Sequence, residues 1–195
     1  MSNNICIIDG HPDISEARFV HALCNEYRNG ATAAGHSVSQ IDIASHIFSP
    51  LKSQAEFESE PDSMVIRERN KLELANHVVL IFPLWLGSMP SATRAFFEQA
   101  ARANFFLNTG NKDQKWPKKM MKGKSARVIV TMGMPAIAYK ALFGSSSLKA
   151  VEKGLLGISG FKPVEHTIFG GVDSASDAKR ERWVSEVRAL GYQGI

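Results

Sequence analysis

At 195 residues with 44% hydrophobic side chains, the chain is long enough to bury about 70% of its unfolded surface, which excludes a disordered or fibrous protein. A charged fraction of 22% and a formal net charge of +4 suit anionic small molecules and give no support for nucleic-acid binding. Two isolated cysteines, Cys6 and Cys24, exclude a disulfide scaffold, and no apolar run approaches the roughly 18 residues that span a bilayer, so a soluble cytoplasmic protein is expected.

Ile5-Cys6-Ile7-Ile8 is a continuous apolar run ended by Asp9-Gly10, the pattern of a strand buried on both faces. Phe19, Val20, Leu23 and Tyr27 then recur at helical spacing, with Gly30 or Gly35 as the stop. Residues 38–43 alternate as a second strand. After Pro50 the chain turns polar and acidic, and residues 64–74 read as a helix leading into a third strand at 77–82. Pro90, followed by Ala92, Ala95, Phe96, Phe97 and Ala100, predicts a helix with proline in its first turn, where a missing N–H costs little.

Residues 104–124 have weak periodicity and read as a long surface excursion, a class of loop that often forms lids. Its lysine-rich part, 112–124, is expected to be a solvated loop. Phe105, Phe106 and Leu107 are candidates for a lid or an interface, or for packing beneath the excursion. A fourth strand is expected at 126–131, a helix at 146–156, a fifth strand at 165–169, and a closing amphipathic helix at 175–190. Strands alternating with helices in this length range predict a single flavodoxin-like domain over 1–195. That is an α/β three-layer sandwich with a five-stranded parallel sheet of order 2-1-3-4-5 and helices on both faces.

Parallel strands all point one way, so the loops after strands one, three and four share a carboxyl edge, where open sheets of this kind bind ligands. The first loop, from Asp9 to Phe19, leads into a helix N-terminus that can offer N–H groups to a phosphate, with His11 and Arg18 adding donors. It lacks the glycine-rich fingerprints of dinucleotide and P-loop folds. The second, Pro83-Leu84-Trp85-Leu86, presents a rigid backbone and a flat aromatic suited to a planar cofactor. The third, Thr131-Met132-Gly133-Met134, has a glycine that admits close backbone approach, and Tyr139 follows it with a hydroxyl. Each loop alone could equally be a plain turn with a core aromatic.

Together, Gly10-His11-Pro12, Arg18-Phe19, Phe82-Pro83-Leu84-Trp85 with Pro90, Thr131-x-Gly133 and Tyr139 resemble the flavodoxin-fold NAD(P)H:quinone oxidoreductases, most of all the shorter bacterial members. The resemblance implies a bound flavin, FMN with FAD as the alternative, reduced by NAD(P)H and reoxidised by a quinone-like acceptor. It places His11, Arg18 and Phe19 around the flavin phosphate. Pro83, Leu84, Trp85 and Leu86 would line one edge of the ring, and Thr131, Met132, Gly133 and Met134 the other. Tyr139 would lie near the pyrimidine end as the catalytic hydrogen-bond donor, and the protein would be a homodimer. Two other readings stay open: a flavin-binding ancillary subunit of a membrane transport system, and an azo- or nitro-compound reductase. No nucleophilic elbow occurs, and the six histidines lack metal-ligand spacing.

Overall fold

The computed structural model describes residues 2–15, 17–110 and 116–195. In chain order β1 (Asn4–Asp9) is followed by α1 (Phe19–Ala33), β2 (Ser37–Asp42), α2 (Gln54–Glu58), α3 (Ser63–Leu74), β3 (His77–Pro83) and α4 (Ser91–Ala100). Two short strands, β4 (Leu107–Asn108) and β5 (Lys118–Lys119), precede β6 (Ser125–Met132). Then come α5 (Ala136–Phe143), α6 (Ser146–Lys149) continuing as a π-helix over Ala150–Gly157, β7 (Val164–Gly170) and α7 (Asp177–Gln193).

The long strands form one parallel sheet of order β2-β1-β3-β6-β7, the 2-1-3-4-5 arrangement when the two short strands are set aside. Strand side chains alternate between faces, so each central strand feeds two cores. Cys6 and Ile8 pack with Leu72 of α3, Phe96 of α4 and Leu148 of α6 on one side. Ile5 and Ile7 pack with Leu23 of α1 and Val187 of α7 on the other. A strand covered on both faces has no need for polar residues, which is why its sequence reads as an unbroken apolar run. The two cysteine thiols are buried in these cores, and burial pushes Cys6 up to about 12 and Cys24 well above the ordinary thiol range, so both are unreactive.

Several local expectations are corrected. Gly30 lies inside α1 rather than at its end, and the chain leaves the helix at Ala34-Gly35. Pro90 is the N-cap of α4, one position before its first turn. Helices α2 and α5 carry little amphipathic signal and have no counterpart in the sequence pattern, and residues 146–156 are partly π-helical. Phe106 is buried, and its ring stands 5.0 Å from that of Phe105 and 6.3 Å from that of Phe97, so these residues pack beneath the excursion. The described part of the excursion is a small antiparallel ribbon tied down by Met121 N–H donating to the Ser159 carbonyl at 2.9 Å. Residues 111–115 of the lysine-rich run lie outside the described residues. Among the described residues, no helix is long and apolar enough to cross a membrane, and no histidine, cysteine or carboxylate cluster could hold a metal.

His77, buried at the start of β3, sits 2.7 Å from Ser125 Oγ through Nδ1, while its Nε2 has no partner. Burial, helped by the nearby Arg127 charge, lowers its pKa from 6.5 to about 4. Because the unfolded chain takes up a proton that the folded one refuses, stability is full above the ordinary value and falls as pH drops from 6.5 toward 4. The expected loss is about 3 kcal/mol by the lower pH. Denaturant midpoints measured against pH should show it, and His77→Gln should flatten that limb.

Candidate functional site

A cleft of about 480 Å³ opens at the carboxyl edge of the sheet. It is lined by His11, Arg18 and Phe19 from the first loop, Pro83, Leu84 and Trp85 from the second, and Thr131, Met132 and Gly133 from the third. The three loops therefore converge on one cavity, within the usual range of roughly 300–1,000 Å³ for ligand sites. The Leu84 N–H donates to the Thr131 carbonyl at 2.7 Å, fastening the second loop to the third, and Thr93 Oγ1 donates to the Gly10 carbonyl at 2.7 Å, fastening α4 to the first.

The N-terminus of α1 faces this cleft through Phe19 and Val20, and its N-cap residue, Arg18, makes no side-chain capping bond. First-turn N–H groups of a helix have no intrahelical acceptor and carry its positive dipole end, so an anion is the natural partner. Arg18 is exposed and donates through Nε to Asp13 Oδ2 at 2.7 Å. The Ser15 N–H first, and the Arg18 bond second, hold the Asp13 carboxyl below its ordinary pKa. Trp85 is half-exposed, and its ring stands edge-on to His11 with centroids 5.6 Å apart. Reciprocal hydrogen bonds of 2.9 Å between Trp85 and Ser88 close a two-residue turn, with Leu86 at φ +46° and Gly87 at φ +77°. Leu86 therefore projects fully into solvent beside the cleft and does not line it.

The remaining expected residues fall elsewhere. Met134 is half-buried against the core and its carbonyl accepts from Gly171 N–H at 3.0 Å. Tyr139 is 1% exposed, and its hydroxyl accepts from the Leu148 N–H at 3.3 Å. Its ring lies in the core beneath α5, with one side stacked on the exposed Phe143 of the same helix, so the tyrosine expected at the flavin rim is a packing residue here. Helix α5 starts after Pro135 and turns its one fully buried side chain inward, which the loop sequence could not reveal. We expect Tyr139→Phe to cost about 1 kcal/mol of stability through one lost hydrogen bond and to leave flavin reduction unchanged. Thermal unfolding and stopped-flow reduction of the variant check both halves.

Besides Ala17 and Val20, which flank the first-loop residues already expected, three lining residues from a further segment were missed: Val172, Asp173 and Arg180. They follow β7, and the rule that puts all parallel strand ends on one edge applies to this loop as well. The Asp173 carboxylate packs against Gly133 so closely that a Cβ there would lie 2.5 Å from Oδ2. Arg180 donates to the Val172 carbonyl at 3.0 Å. The place of a Gly133 side chain is taken by the Asp173 carboxylate, which leaves exposed Gly133 backbone beside that carboxylate at the cleft wall, while the open N-terminus of α1 offers N–H groups to an anion at the other end.

A family model described as a flavodoxin-like fold matches residues 3–190. The chain belongs to this family. No curated protein sequence matches it. Among solved structures, the flavodoxin-like chain resembles Smu.1420 from Streptococcus mutans UA159 at 21% identity and a TM-score of 0.82, covering 97% of this chain and 98% of that one. It also resembles an NAD(P)H:quinone oxidoreductase from Methanothermobacter marburgensis, at 20% identity over the whole of both chains and a TM-score of 0.84. A third is an FMN-dependent NADH-azoreductase from Bacillus anthracis str. Ames Ancestor, in complex with FMN, at 14% identity, 99% coverage of both chains and a TM-score of 0.76. At these identities the likeness speaks for the fold alone.

Proposed function

We propose that this flavodoxin-like protein is a flavin-dependent NAD(P)H:quinone oxidoreductase, built as a single domain, with FMN as its cofactor. The observation that carries the reading is the convergence of three strand-end loops, one of them opening an uncapped helix, on a single cleft. Flavin, when bound, supplies the hydride chemistry, accepting from NAD(P)H and donating to a quinone in turn. The N–H groups of Phe19 and Val20, with Arg18 and the His11 ring, would take its phosphate. Pro83, Leu84 and Trp85 would hold one edge of the ring, and Thr131, Met132 and Gly133 would hold the other and keep water from that side. Holding donor and acceptor in contact distance is the protein's main contribution to rate.

The exposed Ile137, Leu142 and Phe143 of α5 offer an apolar surface to a second copy, and we include a homodimer in the reading. Two unpaired cysteines support a reducing cytoplasmic setting. Purified protein should be yellow or become so with FMN, and should oxidise NAD(P)H with menadione without another protein. A colourless preparation that neither FMN nor FAD reconstitutes would overturn the cofactor. Tight partner binding with negligible turnover would favour the ancillary-subunit reading, and a strong preference for azo or nitro compounds would move the acceptor class. Sedimentation at low concentration tests the dimer.

A further inference from the structure

The first loop brings together two histidines whose ring centroids are 5.4 Å apart and whose nitrogens meet opposite kinds of partner. His21 Nδ1 lies 2.6 Å from Asp9 Oδ2, and its Nε2 lies 2.8 Å from the Asp13 carbonyl oxygen. Both partners accept, while a neutral imidazole carries only one N–H. His11 is the reverse case, because its Nδ1 accepts the Asp13 N–H at 3.1 Å and so holds no proton. We propose that His21 is a positioning residue of the cofactor site, kept as an imidazolium that ties the Asp13 carbonyl to Asp9 and so fixes the loop carrying His11 and Arg18. The proposal rests on the flavin reading above and assigns His21 no contact with the cofactor.

Asp13 is the hub of the loop. Its N–H goes to His11, its carbonyl takes His21, its Oδ1 accepts the Ser15 N–H at 2.9 Å and its Oδ2 accepts Arg18. Asp9, at the end of β1 and 3% exposed, is the anchor, and its Oδ1 also accepts the His11 N–H at 3.2 Å. The His21 ring thus bridges a rigid strand end to the residue through which the loop's other bonds run. Neutral His21 could serve Asp9 or Asp13 but not both, leaving either a buried carboxylate or a carbonyl without its donor.

Among the described residues, the charged and titratable groups facing His21 are Asp9 and the Cys24 thiol that bonds Asp9, Asp13 and His11 from the loop, Asp42 at the end of β2, and Arg18 across Asp13. Burial pulls the His21 pKa down, but the Asp9 and Asp13 hydrogen bonds and the Asp42 charge outweigh it and hold the pKa above the ordinary value. Burial first, and the His21 charge second, push His11 below it. Neighbouring groups driven apart in this way hold distinct roles across neutral pH. The His21 bridge is complete at low pH and is lost as pH rises through its raised pKa. The Asp13-to-His11 bond is complete at high pH and is lost as pH falls through the lowered pKa of His11. FMN affinity should therefore peak between the two. The second ionisation of a phosphate monoester, near pH 6 (roughly), shapes the acid limb in every variant, so the alkaline limb is diagnostic.

Imidazole nitrogen NMR of the apoprotein should find both His21 nitrogens protonated at neutral pH and His11 protonated once. A neutral His21 there overturns the proposal. Titration of FMN by fluorescence quenching should give an affinity that falls on the alkaline side for the wild type. His21→Gln should bind about tenfold more weakly at neutral pH and lose that alkaline limb. Parallel profiles in the two proteins overturn the proposal. Asp9→Asn, which keeps the shape, should lower the His21 titration and draw the alkaline limb toward neutrality, and an unchanged titration would count against the bridge. If the wild type binds no flavin, the flavin reading fails separately, and the charged bridge stands or falls on the spectra.

Discussion

Gly30→Ala should cost about 4 kcal/mol or more of stability, because α1 and α7 cross here in backbone contact. A Cβ on Gly30 would overlap the Arg188 carbonyl oxygen and sit 2.9 Å from the Tyr192 N. Gly191 meets α1 in the same way, facing the Tyr27 carbonyl oxygen. Both neighbours are backbone in long helices, so neither can rotate aside as a side-chain tip would, and the helices must part. In most helix interiors Gly→Ala is stabilising by up to about 1 kcal/mol, so the sign itself is the test. Chemical denaturation of the variant should show a large fall in midpoint. A neutral or stabilising result would mean that the helices do not approach as described.

Gly133→Val should leave the fold within about 1 kcal/mol of the wild type yet weaken flavin binding by at least about a hundredfold, equivalent to roughly 2.7 kcal/mol. The glycine is exposed on the third loop, so the added branch meets little protein apart from the Asp173 carboxylate. Because a Cβ there would lie 2.5 Å from Asp173 Oδ2, the branch must push aside that carboxylate tip, which itself lines the cleft, and so crowds the space where the ring would lie against backbone. Thermal unfolding and FMN titration separate the two effects. Wild-type affinity in a well-folded Gly133→Val protein would place the flavin elsewhere in the cleft and would remove the third loop from the site.

The sheet was legible because its signals are local. Continuous apolar runs such as Ile5-Cys6-Ile7-Ile8 mark doubly covered strands, and their alternation with helices restricts the order to a few topologies. The ligand edge was legible for the same reason, since one direction shared by all strands puts His11, Trp85 and Gly133 on one side without further information. Applying that rule to the end of β7 would also have found Asp173. Helix α5 and the role of Tyr139 were not legible. Tyr139 lies in a segment without amphipathic periodicity, and whether its hydroxyl meets a cofactor or the Leu148 N–H depends on how the helix turns about its axis.

The amino-acid sequence by itself determined the parallel strands and their alternation with helices, the edge that carries the cleft and three of the loops that line it, because each follows from short-range hydrophobic pattern and strand direction; it left the strand order among a few topologies. Tertiary structure alone decided which side chains enter the cleft, that Gly30 is a contact point and not a helix stop, and that His21 stands between two acceptors. Those outcomes depend on distances between residues far apart in the chain, such as Gly30 and Arg188 or Gly133 and Asp173, or on the path of an irregular loop such as Asp9 to His21. Periodicity carries no information about such distances. They are fixed only when both faces of the sheet are packed.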